Sequence, residues 1–193
     1  MIVVMRCTLN TDFEMDKVRD MLVADVIIGI DPGASGGIAV WRPNAVPVTV
    51  KIPKSINEIV KYLEYWKEVG NVLVFLEKVQ MFRSDDQGKQ FRINAMLAGY
   101  ERLKNALEVA GIPFVPVHPM SWQSYLKLRK KGEFKKVRKE RYKSVAQEWF
   151  PEVKVTLWNC DALLLVAFGL KKKRDEPEWI QGLLPGDVYW KLL

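Results

Sequence analysis

The sequence has few of the residues that usually bind transition metals or cross-link small domains. Its 193 residues include one histidine, His118, and two cysteines, Cys7 and Cys160. Two cysteines so far apart form no zinc-binding spacing and cannot supply the disulfide framework of a small secreted domain. We therefore expect two reduced thiols in a cytoplasmic protein.

Long hydrophobic runs are also missing. No apolar stretch approaches the ~18 residues that cross a membrane, and the N-terminal segment becomes polar too early for a secretory signal. We therefore expect no membrane partner. Hydrophobic residues still make up 49% of the chain, enough for the core of one domain. We predict this domain at 25–171, between an N-terminal extension of unknown role at 1–24 and a C-terminal tail at 172–193.

The order of the apolar patterns predicts an α/β domain with a five-stranded mixed sheet. Apolar runs at 26–30, 38–41 and 46–52 are joined by short turns, which predicts antiparallel neighbours. The alternating elements that follow place two further strands parallel to each other. These later elements are a helix at 55–70, a strand at 71–77, a long helix at 86–110, a strand at 112–117 and helices at 119–128, 135–150 and 160–170.

The long predicted helix carries apolar residues on two faces. Phe91, Ala95 and Gly99 belong to one stripe, and Ile93 and Met96 to the other. A helix with this pattern is either buried between layers or lies at a contact between subunits.

Three carboxylates stand at the ends of predicted elements. Asp31 follows the first strand, Glu77 ends the fourth, and Asp161 lies in the first turn of the last helix. Strand carboxyl ends converge at one edge of an α/β sheet, so these acids can meet there. Clustered carboxylates repel one another unless a cation neutralises them. Mg²⁺ and Mn²⁺ prefer such oxygen ligands.

Each of these residues also has a simpler interpretation. Asp31 precedes Pro32 and Gly33 and is a typical turn-forming residue. Asp161 is a favourable charge at a helix N-terminus. Glu77 is harder to explain in this way, because it leads directly out of a buried strand.

Positive charge is concentrated in one segment. Residues 127–143 contain ten Lys and Arg against two Glu, whereas the whole chain has a net charge of +7. Such a run is usually a solvated helix face, but it also suits the phosphates of a nucleic acid. The candidate DNA-binding residues in this run are Lys130, Lys131, Lys135, Lys136, Arg138 and Lys139.

An ordered set of motifs resembles a known family. The segments "GIDPGASGGIAV", "VFLEKV", "GIPFVPVHPMSW", "EWFPEV" and "DALLLVAFG" occur in this order. Together they resemble the RuvC-type Holliday-junction resolvases, especially the small phage and viral branch, over residues 26–170. The resemblance implies an RNase H-like fold, a homodimer, and a role in DNA recombination and repair in association with nucleoid or viral DNA.

The resemblance also implies an activity. The expected protein is a metal-dependent, structure-selective endodeoxyribonuclease that resolves four-way junctions by paired phosphodiester hydrolysis. Asp31, Glu77 and Asp161 match the family's catalytic carboxylates and are expected to bind one or two Mg²⁺ or Mn²⁺ ions per subunit. The polar segment after Glu77 supplies further expected DNA contacts, namely Phe82, Arg83 and Lys89.

The chain departs from the family at one position. A fourth acid, or a histidine, usually precedes the last Asp by one helical turn, where this chain has Leu157 and Trp158. Asn159 and His118 are the candidates for a replacement ligand. For His118, a structural role before Pro119 is the simpler interpretation.

Two other functions fit parts of the sequence. The missing fourth acid favours a non-catalytic protein that binds branched DNA with an incomplete metal site. Actin-like ATPases and sugar kinases also open with an Asp-x-Gly loop beside a hairpin, but they need a second, similar domain that the sequence does not indicate.

Overall fold

Five strands form one mixed sheet in the computed structural model, which describes residues 24–79 and 86–176. The strands lie in the order β3-β2-β1-β4-β5. β1 pairs antiparallel with β2, and β2 with β3, whereas β4 is parallel to both β1 and β5. The predicted α/β fold class and five-stranded mixed sheet are therefore confirmed. The strands are β1 (Val26–Ile30), β2 (Gly37–Trp41), β3 (Val48–Lys51), β4 (Val72–Glu77) and β5 (Phe114–Val117).

Helices follow the third, fourth and fifth strands, as the apolar pattern predicts. Ser55 and Glu58 cap the first helix reciprocally, which fixes where it begins. The Asp86 side chain accepts a hydrogen bond from the Lys89 amide and caps the second. The helices are α1 (Ile56–Val69), α2 (Gln87–Val109), α3 (Pro119–Tyr125), α4 (Lys135–Trp149) and α5 (Cys160–Asp175).

The last helix is longer than predicted. It continues beyond residue 171, where the tail was expected to begin, and ends at Asp175. Lys171 pairs with Asp175, and Lys172 pairs with Glu176. Ion pairs four residues apart stabilise a helix, and a search for apolar residues does not detect them.

The sheet separates two layers of helices. Val26, Ile28 and Ile30 of β1 belong to the core shared with α1 and α2. Ile27 of β1 and Phe75 of β4 belong to the core on the opposite face, with α3, α4 and α5. This division follows from the alternation of side chains along a strand.

Two glycines allow α5 to lie directly against the sheet. A Cβ atom at Gly29 would stand 2.2 Å from the carbonyl oxygen of Ala162, and one at Gly169 would stand 2.3 Å from the Phe75 ring. Neither position has room for a side chain. The close contact at Gly29 holds the N-terminus of α5 near the carboxyl end of β1.

The two halves of α2 have different surroundings. Tyr100, Leu103 and Leu107 in the second half are buried against the sheet and α1. In the first half, Phe91 is 75% exposed and Met96 is 40% exposed. The helix is thus buried over only half its length. Nothing among the described helices is both long and apolar enough to cross a membrane.

Candidate active site

Asp31 closes the turn after β1 and faces α5. Its Oδ1 accepts a hydrogen bond of 2.9 Å from the Gly33 amide. A Cβ atom at Gly36 would lie 2.1 Å from the Asp31 carbonyl oxygen, so the turn requires glycine there. The turn-forming interpretation of Asp31 is therefore correct. The Asp31 side chain also interacts with that of Glu77.

Glu77 ends β4 beside Asp31. The parallel register pairs Ile30 with Leu76, so the next residue of each strand stands at the same edge. The indole Nε1 of Trp122 donates a hydrogen bond of 3.1 Å to Glu77 Oε1. Trp122 is fully buried, and its ring contacts that of Tyr142 edge to face. A rigid aromatic residue thus fixes the direction of the Glu77 carboxylate.

Asp161 completes the group from the N-terminus of α5. The residue is only 7% exposed. The Cys160 thiol donates to Oδ1 at 3.2 Å, and the Lys139 ammonium, which extends inward from α4, donates to Oδ2. Lys139, predicted as a DNA contact, therefore lies among the carboxylates.

The three acids influence one another's protonation. Burial raises the pKa of Glu77 to about 8, and the charges of Asp31 and then Asp161 add to this. Burial, and then the charge of Asp161, also raises the pKa of Asp31 above its usual value. Burial alone would lower the pKa of Lys139, but the charge and hydrogen bond of Asp161 raise it above its usual value. Lys139 therefore stays charged and offsets part of the repulsion.

The carboxylates have the donor chemistry of a site for a hard cation. Buried carboxylate oxygens that repel one another are stabilised when a divalent ion neutralises them. Within 24–79 and 86–176, however, no three His, Cys, Asp or Glu side chains form a ready-made metal-binding cluster. Asp161 is paired with Lys139 instead. The donor set fits the ion, with Lys139 as the competing cation.

Neither proposed replacement ligand joins this group. Asn159 is 1% exposed. Its Oδ1 accepts from the amide and hydroxyl of Thr156, and its Nδ2 donates to Thr49 Oγ1 and the Lys154 carbonyl. The amide thus ties the segment before α5 to β3, and the prediction that Asn159 is a metal ligand is not supported.

His118 has a structural contact at the start of α3. Its Nδ1 accepts a hydrogen bond from the Met120 amide, and it borders a separate cleft with Tyr125 and Lys172. The interpretation of His118 as a structural residue before Pro119 agrees with these contacts. A role as fourth ligand is not supported.

The position of the missing acid is used for packing. A Cβ atom at Gly37 would stand 2.7 Å from the Trp158 ring. The indole of Trp158 therefore lies against the backbone of β2 at Gly37. Trp158 is half-buried there and supplies no oxygen ligand.

A cleft of about 250 Å³ gives access to two of the carboxylates. Its walls combine the polar ends of β1 and β4 with an apolar side contributed by α2. The lining residues are Asp31, Pro32, Gly33, Glu77, Lys78, Val79, Ile93, Met96 and Pro119.

The basic segment divides into inward and outward side chains. Lys130, Lys131, Lys135 and Lys136 are exposed, and Arg138 is half-buried. Lys89 is exposed at the start of α2. The remaining predicted DNA contacts, Phe82 and Arg83, lie outside the described residues.

Comparison with solved structures finds a likeness in fold. One match is RuvC of Thermus thermophilus in complex with Holliday junction substrate, with a TM-score of 0.49. Another is the Thermus thermophilus RuvC structure, with a TM-score of 0.48. In both cases the identity is 17%, and the match covers 78% of this chain and 96% of the other. No family model and no curated protein matches the sequence. At this level the likeness assigns no function to the chain.

Proposed function

We propose that the chain is a metal-dependent endodeoxyribonuclease that cuts branched DNA as a Holliday-junction resolvase. The observation that carries the proposal is the convergence of Asp31, Glu77 and Asp161 at one sheet edge, next to a basic segment. Burial, and then the charges of the neighbouring acids, raises the pKa values of Asp31 and Glu77. Perturbed acids in an accessible cleft are typical of catalytic sites.

Asp31, Glu77 and Asp161 would hold one or two Mg²⁺ or Mn²⁺ ions. A metal bound there activates a water and stabilises the leaving oxygen of a phosphodiester. The chain's own residues prepare the ligands. The Gly33 amide fixes Asp31, and the Trp122 indole orients Glu77.

Lys139 supplies a fixed positive charge at the same place. An ammonium group beside the carboxylates is suited to pair with a phosphate oxygen of the DNA. It would hold the backbone close to the ligands, while the lysines further out on the basic segment bind neighbouring phosphates. Affinity should therefore fall steeply as the salt concentration rises.

Paired incision requires two active sites, and we propose a homodimer for this reason. The exposed first half of α2, with Phe91 and Met96, offers an apolar face to a second subunit. Ile93 and Met96 also line the cleft that reaches the carboxylates. A contact along this helix would place the two sites on a common DNA junction.

Cleavage of defined DNA substrates tests the proposal. The native chain should nick four-way junctions in the presence of Mg²⁺, and should act poorly on intact duplex. Asp31→Asn should lose at least about 100-fold in rate, which is typical for removal of a key electrostatic group. Asp25→Asn, at the opposite end of the same strand, is the matched control and should retain activity. Equal activity of Asp31→Asn and the native chain would refute the assignment.

A non-catalytic branched-DNA-binding protein is the second candidate. It is favoured by Trp158, which occupies the position of an acid, and by Lys139, which already pairs with Asp161. Tight binding of junctions by the native chain without cleavage in either Mg²⁺ or Mn²⁺ would establish this function instead.

A further inference from the structure

Phe134 is an aromatic side chain that the fold leaves in solvent. It is 81% exposed, the highest value among the large hydrophobic residues of the described chain. It stands immediately before α4 and makes no side-chain capping hydrogen bond there. Phe134 therefore contributes little to the core or to the helix terminus, although the segment around it is well anchored.

Contacts on both sides of Phe134 hold this segment in place. The Arg141 guanidinium donates from Nε and Nη2 to the Glu133 carboxylate at 2.8 and 2.5 Å, and from Nη2 to the Leu128 carbonyl at 2.6 Å. Leu128 is itself buried in the core, and Gly132 makes the turn with a φ of +73°. Phe134 is thus presented by a clamped loop rather than by a free end.

Exposed lysines flank Phe134 on both sides in the sequence. Lys130 and Lys131 precede it, and Lys135 and Lys136 follow it. We name residues 130–136 the Phe134 platform. An exposed aromatic ring within a cationic surface has the chemistry of single-stranded nucleic-acid sites, in which bases stack on rings and phosphates pair with lysines.

The platform adjoins the N-terminal part of α4, which also carries Lys139. Lys139, which contacts Asp161, follows Phe134 by five residues, or about 7.5 Å along a helix axis at 1.5 Å per residue. Stacked nucleotides of one strand are about 3.4 Å apart. Along the helix axis, Phe134 and Lys139 are thus about two nucleotide spacings apart, so one strand bound along α4 can contact both.

We propose that Phe134 stacks on an unpaired or unstacked base of branched DNA, while the platform lysines hold the flanking phosphates. The proposal rests on the function proposed above and adds the residue that senses the branch. Intact duplex offers no free base face, so the ring would favour branched over linear DNA.

Binding of the full-length chain to matched DNAs in EDTA tests this role without cleavage. Phe134→Ala should weaken binding to a four-way junction by about 5- to 100-fold, the range of one base–aromatic stack. Its affinity for duplex of equal length should change less than about twofold. Phe134→Trp should restore junction binding, because the larger ring stacks at least as well.

Two control variants separate stacking from charge and from general surface effects. Lys135→Ala with Lys136→Ala should weaken binding to both DNAs and reduce the logarithmic salt slope by about 2, since each phosphate contact contributes about 0.9. Phe134→Ala should leave this slope unchanged. Tyr65→Ala removes another exposed aromatic ring, 57% exposed on α1, and should change neither measurement.

A fluorescent base locates the contact. With 2-aminopurine at the branch point of the junction, the native chain should change its emission and Phe134→Ala should not. The proposal is overturned if Phe134→Ala binds junctions like the native chain, or weakens duplex binding equally. It is also overturned if this variant changes the oligomeric state, because the ring would then belong to a subunit contact.

Failure of the resolvase function can be distinguished from failure of the stacking role of Phe134. A native chain that binds or cuts junctions no better than duplex refutes the resolvase. In that case, loss of oligo(dT) binding in Phe134→Ala still supports stacking by the ring, and unchanged oligo(dT) binding rejects it. Conversely, selective cleavage retained in full by Phe134→Ala rejects only the role of the platform.

Discussion

The two faces of the central sheet come from the same strands but differ in what they carry toward the carboxyl edge. On the face covered by α1 and α2, β1 presents Val26, Ile28 and Ile30, which are all buried and aliphatic. On the other face the succession is Ile27, Gly29 and Asp31. Along this face the side chain is absent at Gly29, and the next position, Asp31, carries a charge. On the face that carries Asp31, the missing side chain at Gly29 leaves room for α5 to lie against the sheet.

In the neighbouring strand β4 the large side chain is on the strand and the glycine is on the helix. On the α5 face, β4 presents Phe75 and then Glu77, and here the glycine, Gly169, is on the helix. Each strand therefore meets α5 through one glycine and ends in one carboxylate. The comparison shows that close packing and the convergence of the acids share one cause, the short distance between α5 and the sheet.

A side chain at Gly29 should prevent the close contact between α5 and the sheet. Gly29→Ala places a Cβ atom against the Ala162 backbone, which cannot move without displacing α5. We expect a loss of at least about 3 kcal/mol in the free energy of unfolding, because overpacking against backbone exceeds the usual range. Urea denaturation measures this loss. Ile28→Val, on the opposite face, should cost only about 0.5–1.5 kcal/mol, and equal costs for the two variants would contradict the interpretation.

Trp122 and Tyr142 form one ring pair on the α5 face, with different polar roles. Trp122→Phe removes the hydrogen bond to Glu77, and we expect it to cost about 1–3 kcal/mol in stability and to lower the cleavage rate. The Tyr142 hydroxyl is buried, without a hydrogen-bond partner in the described part of the chain. Tyr142→Phe should therefore change stability by less than about 0.5 kcal/mol. Thermal melts and cleavage assays compare the two, and a larger loss in Tyr142→Phe would be the contrary result.

The charge at the carboxyl edge should make stability depend on pH in metal-free protein. The folded chain raises the pKa of Glu77 from 4.5 to about 8, so it binds a proton that the unfolded chain releases earlier. Stability should therefore fall as the pH rises from about 4.5 to about 8. Glu77→Gln should flatten this dependence and be more stable than the native chain at pH 8 in EDTA.

A carboxylate with the opposite shift provides the control. The hydrogen bonds from Arg141 lower the pKa of Glu133, so its contribution to stability is present above the ordinary pKa of Glu and is lost as the pH falls. Glu133→Gln should therefore reduce stability at pH 8, where Glu77→Gln increases it. Denaturant titrations across this range decide the matter, and a loss of stability in both variants would refute the predicted sign at Glu77.

Removing the Lys139 ammonium should raise the affinity of the carboxylates for a divalent ion. Lys139→Met takes away a positive charge that would repel a divalent ion. We expect Mn²⁺ to bind about tenfold more tightly, as measured by calorimetry or electron paramagnetic resonance. Lys143→Met, one turn further along α4, should leave the affinity within about twofold of the native value. Weaker Mn²⁺ binding in Lys139→Met would show that the lysine orders Asp161 rather than competing with the ion.

The strands and the pair Asp31 and Glu77 could be predicted from the sequence because both depend on local patterns. Buried central strands appear as continuous apolar runs, and parallel strands carry their terminal residues to a common edge. The position of Asp161 followed from the helix pattern together with the family motif. Its convergence with the other two depends on Gly29, whose role no periodicity reveals.

The contacts that tune the site could not be read in the same way. Trp122 and Glu77 are 45 residues apart in the chain, and Lys139 and Asp161 are 22 apart. Which lysine of a basic run turns inward depends on the rotation of α4 against α5. The hydrogen bonds of the Asn159 amide could not be predicted either, because only the folded loop brings Thr49 to it.

The Lys139–Asp161 ion pair has a consequence for the maturation of the protein. Three acids gathered at one edge would oppose folding until an ion arrived, unless the chain brought a cation of its own. Because α4 carries one, synthesis and folding do not have to wait for metal. The ion of the proposed function would then bind after folding, by displacing this lysine.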